Sequence, residues 1–151
     1  MKTATISILF AAALSASTVE IRASSDNTWI AWRSVTFFDQ SGDRFAKHYV
    51  RCVAQSKWSE TPCTVLGQGE HWNAGDYHGW VRFRVPRRPA AIWLEPCCGD
   101  PLPFGWRAVV SIDIRIDGRV VHRAIHRYSL EREGTFLIEL PNVEDLQRIE
   151  K

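Results

Sequence analysis

Alternation of apolar and polar residues over positions 106–116, interrupted at Val109, constrains the fold more than any other feature of this sequence. The even positions read Trp, Ala, Val, Ile, Ile and Ile, with Ser111, Asp113 and Arg115 between them. A period of two gives a strand one buried face and one wet face. Six further segments, rich in β-branched and aromatic residues and bounded by turn residues, are 28–38, 44–54, 77–85, 90–95, 119–128 and 135–140. The sequence therefore predicts an all-β domain: a single small antiparallel β-sandwich or barrel of about seven to eight strands, disulfide-braced.

Two further expectations concern the facing of the segment 77–85 and the structure of the carboxyl-terminal tail. In 77–85 the alternation directs Tyr77, Gly79, Val81, Phe83 and Val85 inward. The tail from residue 142 to 151 has the composition of a short C-terminal helix, with a final strand as the alternative.

The dipeptide Asp117-Gly118 predicts a tight hairpin between the strands 106–116 and 119–128, because a type I′ turn needs positive φ at both central residues. Two registers of this hairpin remain open. An uninterrupted ladder directs Arg123 and Arg127 toward the core, whereas a bulge that slips the second strand by one residue turns both arginines out and directs His122 and His126 in. The first register therefore exposes the two histidines on the wet face, and the second exposes the two arginines.

The amino terminus has the order of a secretory signal peptide: the basic start Met1-Lys2, a nine-residue apolar run over 6–14, and then small residues. Such a run is too short to span a bilayer, and no transmembrane segment is predicted. Cleavage after Ala23 is preferred, which makes 1–23 the signal peptide and 24–151 the β-rich domain, and cleavage after Ser17 is the alternative. The mature protein is expected to be secreted, either extracellular or periplasmic.

Four cysteines, Cys52, Cys63, Cys97 and Cys98, are an even number in a chain that carries an export signal, so they are expected to form disulfides. Adjacent cysteines rarely bond to each other, and the expectation is that Cys97 and Cys98 reach separately to Cys52 and Cys63. A zinc site is disfavoured because the paired C-x-x-C spacing is absent. Neither a metal nor another cofactor is predicted.

Composition excludes two classes of protein. With 45% hydrophobic residues and a formal net charge of +2, the chain lacks the low hydrophobicity and high charge of disordered proteins. A charge this small also argues against a polycationic nucleic-acid binder, so no nucleic acid is expected as a partner.

The segment 70–80 is the richest in reactive side chains. Glu70, His71, Asp76 and His78 place two carboxylates and two imidazoles on a glycine-containing loop, which would suit a small secreted hydrolase. The same residues without Glu70 could ligate a metal ion. A second constellation, Ser111 with Asp113 and His122, has the residue types of an acyl-transfer triad, but diagonal neighbours on a sheet lie about 7–8 Å apart.

A binding face is the interpretation that the sequence favours. Trp72, Tyr77, Trp80, Arg82 and Arg84 combine flat aromatic rings with cations, the composition of protein-interface hot spots. The hypothesis is a secreted, disulfide-stabilised interaction module that binds a protein partner of the inhibitor, immunity, effector or host-interaction type. Whether the protein is an enzyme is left open, with a non-enzyme favoured. A glycan-binding module is the other alternative beside the hydrolase. The remaining tryptophans, apart from Trp58 in a polar loop, are interpreted mostly as core: Trp29, Trp32, Trp93 and Trp106.

Overall fold

The structure, a computed structural model, describes residues 16–45, 51–55, 63–68, 70–97, 107–129 and 136–142. Within these ranges the chain forms nine strands and one 3-10 helix, Cys63–Gln68. The strands are β1 (Ser17–Ser25), β2 (Ala31–Phe38), β3 (Arg51–Gln55), β4 (Trp72–Asn73), β5 (His78–Val85), β6 (Ala91–Pro96), β7 (Arg107–Ile116), β8 (Arg119–Ser129) and β9 (Phe136–Glu139). No helix in the described ranges is long and apolar enough to cross a membrane.

Two separate antiparallel sheets make up the domain, so the fold is a sandwich and not a closed barrel. The five-stranded sheet has the order β3-β5-β1-β7-β8, and the four-stranded sheet has the order β4-β2-β6-β9. Their inner side chains form one apolar cluster, in which Ile21 of β1 and Ile112 of β7 join Trp32 of β2 and Leu94 of β6. All four are buried. The predicted all-β class is confirmed.

All seven predicted strands are present, and where the faces were assigned the alternation assigned them correctly for the described residues except Tyr77. On β7, every even position from Ala108 to Ile116 is buried, while Ser111 is exposed. On β5, Gly79, Val81, Phe83 and Val85 point inward. Tyr77 departs from the prediction: it precedes the strand and its side chain is 40% exposed.

The hairpin between β7 and β8 has the predicted turn and the bulged register. Asp117 and Gly118 have φ values of 51° and 83°. The ladder is regular at the tip, but its register shifts between Ile114 and Arg115 and leaves Val121 without a cross-strand partner. The extra residue reverses the facing of the rest of β8. Its arginines are therefore exposed, and its histidines lie on the inward side.

Strand β1 lies in the middle of the five-stranded sheet, paired with β5 on one side and β7 on the other. The sequence interpretation assigned most of this segment to the signal peptide and did not predict the strand. Cleavage after Ala23 would leave only Ser24 and Ser25 of its nine residues and would separate β5 from β7. Cleavage after Ser17 would leave eight of its nine residues. The described sheet therefore includes residues 17–23, which lie upstream of the predicted boundary at residue 24.

The disulfide arrangement also differs from the prediction. Cys52 of β3 is bonded to Cys63 at the start of the 3-10 helix, with the two Cα atoms 5.7 Å apart. Neither can therefore reach Cys97 or Cys98, and the predicted pairing is wrong. Cys97 is buried after β6. Some predictions fall outside the described residues: those on the 1–15 leader, Cys98, Trp58, Trp106 and the tail beyond residue 142.

Candidate functional site

The outer side of the five-stranded sheet carries a dense set of arginines, named here the arginine face. Its described members are Arg22, Arg82, Arg84, Arg115, Arg123 and Arg127, drawn from four adjacent strands. Two carboxylates, Glu20 and Asp113, lie among these six cations on the same face. The described part of this face thus has a formal excess of four positive charges, although the whole chain carries only +2.

Glu20 is the centre of this face. It lies opposite Arg82 on β5 and opposite Arg115 on β7. The Nε and Nη2 atoms of Arg82 donate to its Oε2 at 2.9 and 2.6 Å, and Arg22 donates to Oε1. The carboxylate is only 7% exposed. Burial by itself would raise the pKa of Glu20, but the hydrogen bonds and charges of the two arginines outweigh it and hold the pKa below its usual value.

Asp113 forms the second ion pair, with Arg123 directly across the hairpin. The guanidinium donates through Nε at 2.9 Å and Nη2 at 2.8 Å, a two-bond geometry. This hydrogen bonding from Arg123 lowers the pKa of Asp113. Because the bulge directs His122 to the opposite side of the sheet, Ser111, Asp113 and His122 do not form a triad.

Three arginines of this face, Arg84, Arg115 and Arg127, form no ion pair within the described part of the chain. The Nε atom of Arg115 is buried and has no hydrogen-bond partner there. Beside them, the guanidinium of Arg82 lies 4.8 Å from the ring centroid of Trp80, a cation–π contact. The described part of the face therefore presents arginines that form no ion pair there, next to the half-buried indole ring of Trp80.

Of the five residues predicted to bind a partner, Trp80, Arg82 and Arg84 lie together on the outward side of β5. Tyr77 lies just before that strand, where its carbonyl accepts a hydrogen bond from Ser25 at 2.8 Å. Trp72 does not join them, because it is fully buried in the core. A Cβ at Gly79 would lie 3.3 Å from the ring of Trp72, so the glycine permits this close packing. The assignment of Trp72 to a binding face is corrected accordingly.

The reactive residues of the 70–78 loop converge only in part. Glu70 and His71 are exposed, and Nε2 of His78 lies 3.6 Å from a carboxylate oxygen of Asp76. His78 lines a cleft of about 260 Å³ together with Ser111 and Asp113, which the other three residues of the loop do not line. No group of three or more His, Cys, Asp or Glu side chains suited to a metal ion is found in the described ranges.

A second surface was not predicted as a site. On the outer side of the four-stranded sheet the rings of Phe38 and Trp93 stack with centroids 6.5 Å apart and planes at 22°. With Ala91 and Leu137 they line a hollow of about 590 Å³, and we name these four residues the aromatic face. The interpretation of Trp93 as core is wrong, because Ile92 and Leu94 occupy the inward positions of β6. The alternation of apolar residues along β6 would have predicted that Trp93 points outward.

Two histidines on the inward side of β8 form a third feature, the histidine pair. Nε2 of His122 lies 3.0 Å from Nε2 of His126. Burial lowers the pKa of both imidazoles. The charge of Asp113 opposes this shift at His122, and His122 adds to it at His126.

Comparisons with known proteins found similarity among solved structures. No protein-family model matches it, and neither does any curated protein. Among solved structures it is similar to a domain of unknown function, DUF4425, from Bacteroides vulgatus, with 12% identity and a TM-score of 0.37 over 85% of this chain and 97% of that one. A DUF4425 family protein from Bacteroides ovatus is similar at 11% identity and a TM-score of 0.31, over 83% and 91% of the two chains.

Proposed function

We propose that this protein is an exported, disulfide-stabilised interaction module that binds an acidic protein through its arginine face. The observation that carries the proposal is the imbalance on that face, where six arginines surround two carboxylates. Charged surfaces of this kind attract partners of opposite sign and fix their orientation. Arginine and tryptophan are also the residues enriched at interface hot spots, and Trp80 stacked on Arg82 combines both.

The dimensions of the sheet support a protein as the occupant. Five strands about 4.8 Å apart, each presenting about eight residues at 3.3 Å, give a face of roughly 600 Å². One partner of a standard protein complex buries about 800 Å². Most inward-facing residues of β1, β5 and β7 are apolar and buried, so the backbone that carries most of the arginines is rigid. The entropy lost on binding is then limited to the exposed side chains.

Charge reversal at matched positions tests this proposal. Arg84→Glu changes the arginine face, and Arg44→Glu changes an exposed arginine beside Phe38 on the other side of the sandwich. We expect one acidic protein, captured from the native extract and then purified, to bind the wild type and Arg44→Glu equally. Its Kd for Arg84→Glu should rise by about tenfold or more, because one attractive contact becomes repulsive. Equal binding by both variants would overturn the proposal.

The same experiment separates a protein from other polyanions. Heparin and vesicles containing anionic lipid are offered to the three proteins at the same ionic strength. If either polyanion is retained through Arg84 while no acidic protein is, the partner is not a protein and the proposal fails in that form. Binding of the acidic protein should also weaken as salt is raised, because the arginines are exposed.

Glycan binding is a second candidate, favoured by the aromatic face. Stacked Phe38 and Trp93 beside a hollow of about 590 Å³ offer the flat apolar rings on which sugar rings pack. A polysaccharide panel should then quench tryptophan fluorescence in the wild type and in Trp80→Ala but not in Trp93→Ala. A flat response in the wild type removes this candidate.

Export rests on the leader-like residues 1–17, and the position of β1 bears on where they would be removed. We expect the exported protein to begin at Thr18 or earlier, because the five-stranded sheet needs β1. Intact mass and amino-terminal sequencing of the exported protein measure this position. A chain that begins at Ser24 and still folds would contradict the role given to β1.

A further inference from the structure

The histidine pair lies at the rim of the core on β8, the edge strand of the five-stranded sheet. His122 and His126 are partly exposed and lie four positions apart on the same face of the strand, with Ala124 between them on that face. Positions four residues apart on a strand are about 13 Å apart, so two side chains meet only if each leans toward the other. The small side chain of Ala124 leaves the space in which the rings converge.

The distance between the two nitrogen atoms suits one shared ion. A tetrahedral ion with Zn–N bonds of 2.0–2.1 Å places two ligand nitrogens about 3.3 Å apart. Neighbouring positions of a square-planar ion with bonds of about 2.0 Å place them about 2.8 Å apart. The observed separation of 3.0 Å lies between these values and is well short of the roughly 4 Å that a linear two-ligand ion needs.

We propose that His122 and His126 form a two-imidazole site for a divalent transition-metal ion such as Zn²⁺ or Cu²⁺. Imidazole nitrogen suits these ions, whereas Mg²⁺ and Ca²⁺ prefer oxygen ligands. Within the described ranges no third His, Cys, Asp or Glu joins the pair, so the proposal names these two imidazoles alone as protein ligands. The site is independent of the arginine face, which lies on the opposite side of the same sheet.

Metal titration of the 151-residue chain, purified without a histidine tag, tests the site. Calorimetry should find one Zn²⁺ or Cu²⁺ per chain and no binding of Mg²⁺. His122→Gln and His126→Gln should each weaken binding by about tenfold or more, because one of two ligands is lost. His78→Gln, which alters an exposed imidazole elsewhere, should leave it unchanged. Equal affinity in all variants, or no binding of either ion at millimolar concentration, would overturn the proposal.

A second variant keeps the test decisive if a histidine substitution impairs folding. Ala124→Val retains both imidazoles but fills the space between them, so a shared ion should bind about tenfold more weakly or not at all. Two independent surface histidines would bind as before, which would contradict a shared site. Electron paramagnetic resonance of the Cu²⁺ form should also show coupling to two nitrogens in the wild type and to fewer in His126→Gln.

Discussion

On the outer side of the five-stranded sheet six arginines surround two carboxylates, whereas on the outer side of the four-stranded sheet Phe38 and Trp93 stack beside Leu137. Both faces arise from the same alternation of inward and outward residues. They differ in what holds them together. In the arginine face the buried carboxylate of Glu20 offsets neighbouring cations, while in the aromatic face the rings of Phe38 and Trp93 stack on each other. The charged face therefore depends on a carboxylate that pairs with its arginines, whereas the apolar face depends on how its side chains pack.

The largest expected effect is a difference in stability between a tryptophan of the core and a tryptophan on either face. Trp72→Ala should lower the free energy of unfolding by about 3–5 kcal/mol, because it removes a fully buried ring. Trp80→Ala and Trp93→Ala should each cost about 1–2 kcal/mol, since both rings are partly exposed. Urea unfolding of the three variants measures the series. A loss at Trp80 as large as that at Trp72 would assign Trp80 to the core.

The next effect is a difference in stability between removing a carboxylate on the outer side of the five-stranded sheet and removing one on the outer side of the four-stranded sheet. Glu20→Gln should destabilise the fold by about 1–3 kcal/mol, because Arg22 and Arg82 lose the charge that accepts their hydrogen bonds. Glu95→Gln on the outer side of β6 should change stability by no more than about 0.5 kcal/mol. Equal losses in the two variants would remove the special role of Glu20.

The dependence of stability on acidic pH compares the same carboxylates. The pKa values of Glu20 and Asp113 lie below their ordinary values of 4.5 and 3.8, so the unfolded chain binds protons more readily than the folded one. Their contribution to stability is fully present above those ordinary values and is lost as the pH falls through the lowered pKa values. Unfolding curves between pH 6 and pH 2 should therefore show a steeper loss for the wild type than for Glu20→Gln. The Glu95→Gln variant should retain the steep loss, and identical slopes for all three would contradict the assignment.

The smallest effect compares two exposed aliphatic residues, Ile125 on the outer side of β8 and Leu137 on β9, which are 63% and 56% exposed. Ile125→Ser and Leu137→Ser should each change the free energy of unfolding by no more than about 0.5 kcal/mol. If the aromatic face binds glycan, only Leu137→Ser should weaken that binding, because Leu137 lines the hollow. Affinity electrophoresis in polysaccharide gels measures the difference.

Much of the candidate site was predictable from local pattern. Alternation along β5 directed Trp80, Arg82 and Arg84 outward, and the structure agrees. Trp72 could not be assigned in this way, because strand β4 has only two residues and gives no period to read. The aromatic face was missed for a different reason. A tryptophan is usually interpreted as core, although the alternation of β6 directs Trp93 outward.

Register and long-range pairing were beyond the reach of pattern. The Asp117-Gly118 turn was predictable, but the bulge at Val121 depends on how β8 packs against the sandwich. That one residue decides that Arg123 joins the wet face and that His122 and His126 meet. The disulfide between Cys52 and Cys63 likewise follows from the path of the chain between β3 and the 3-10 helix.

By itself the sequence determined the all-β class, seven of the nine strands of the described residues and the two faces of β5 and β7, because these follow from a period of two within one segment. Only the tertiary structure decided that β1 is the central strand of a sheet and that arginines from four strands form one face. Residues such as Glu20 and Arg82 are 62 positions apart, and only the pairing of β1 with β5 brings them into contact. Cross-strand neighbours are set by register, which a local pattern does not contain.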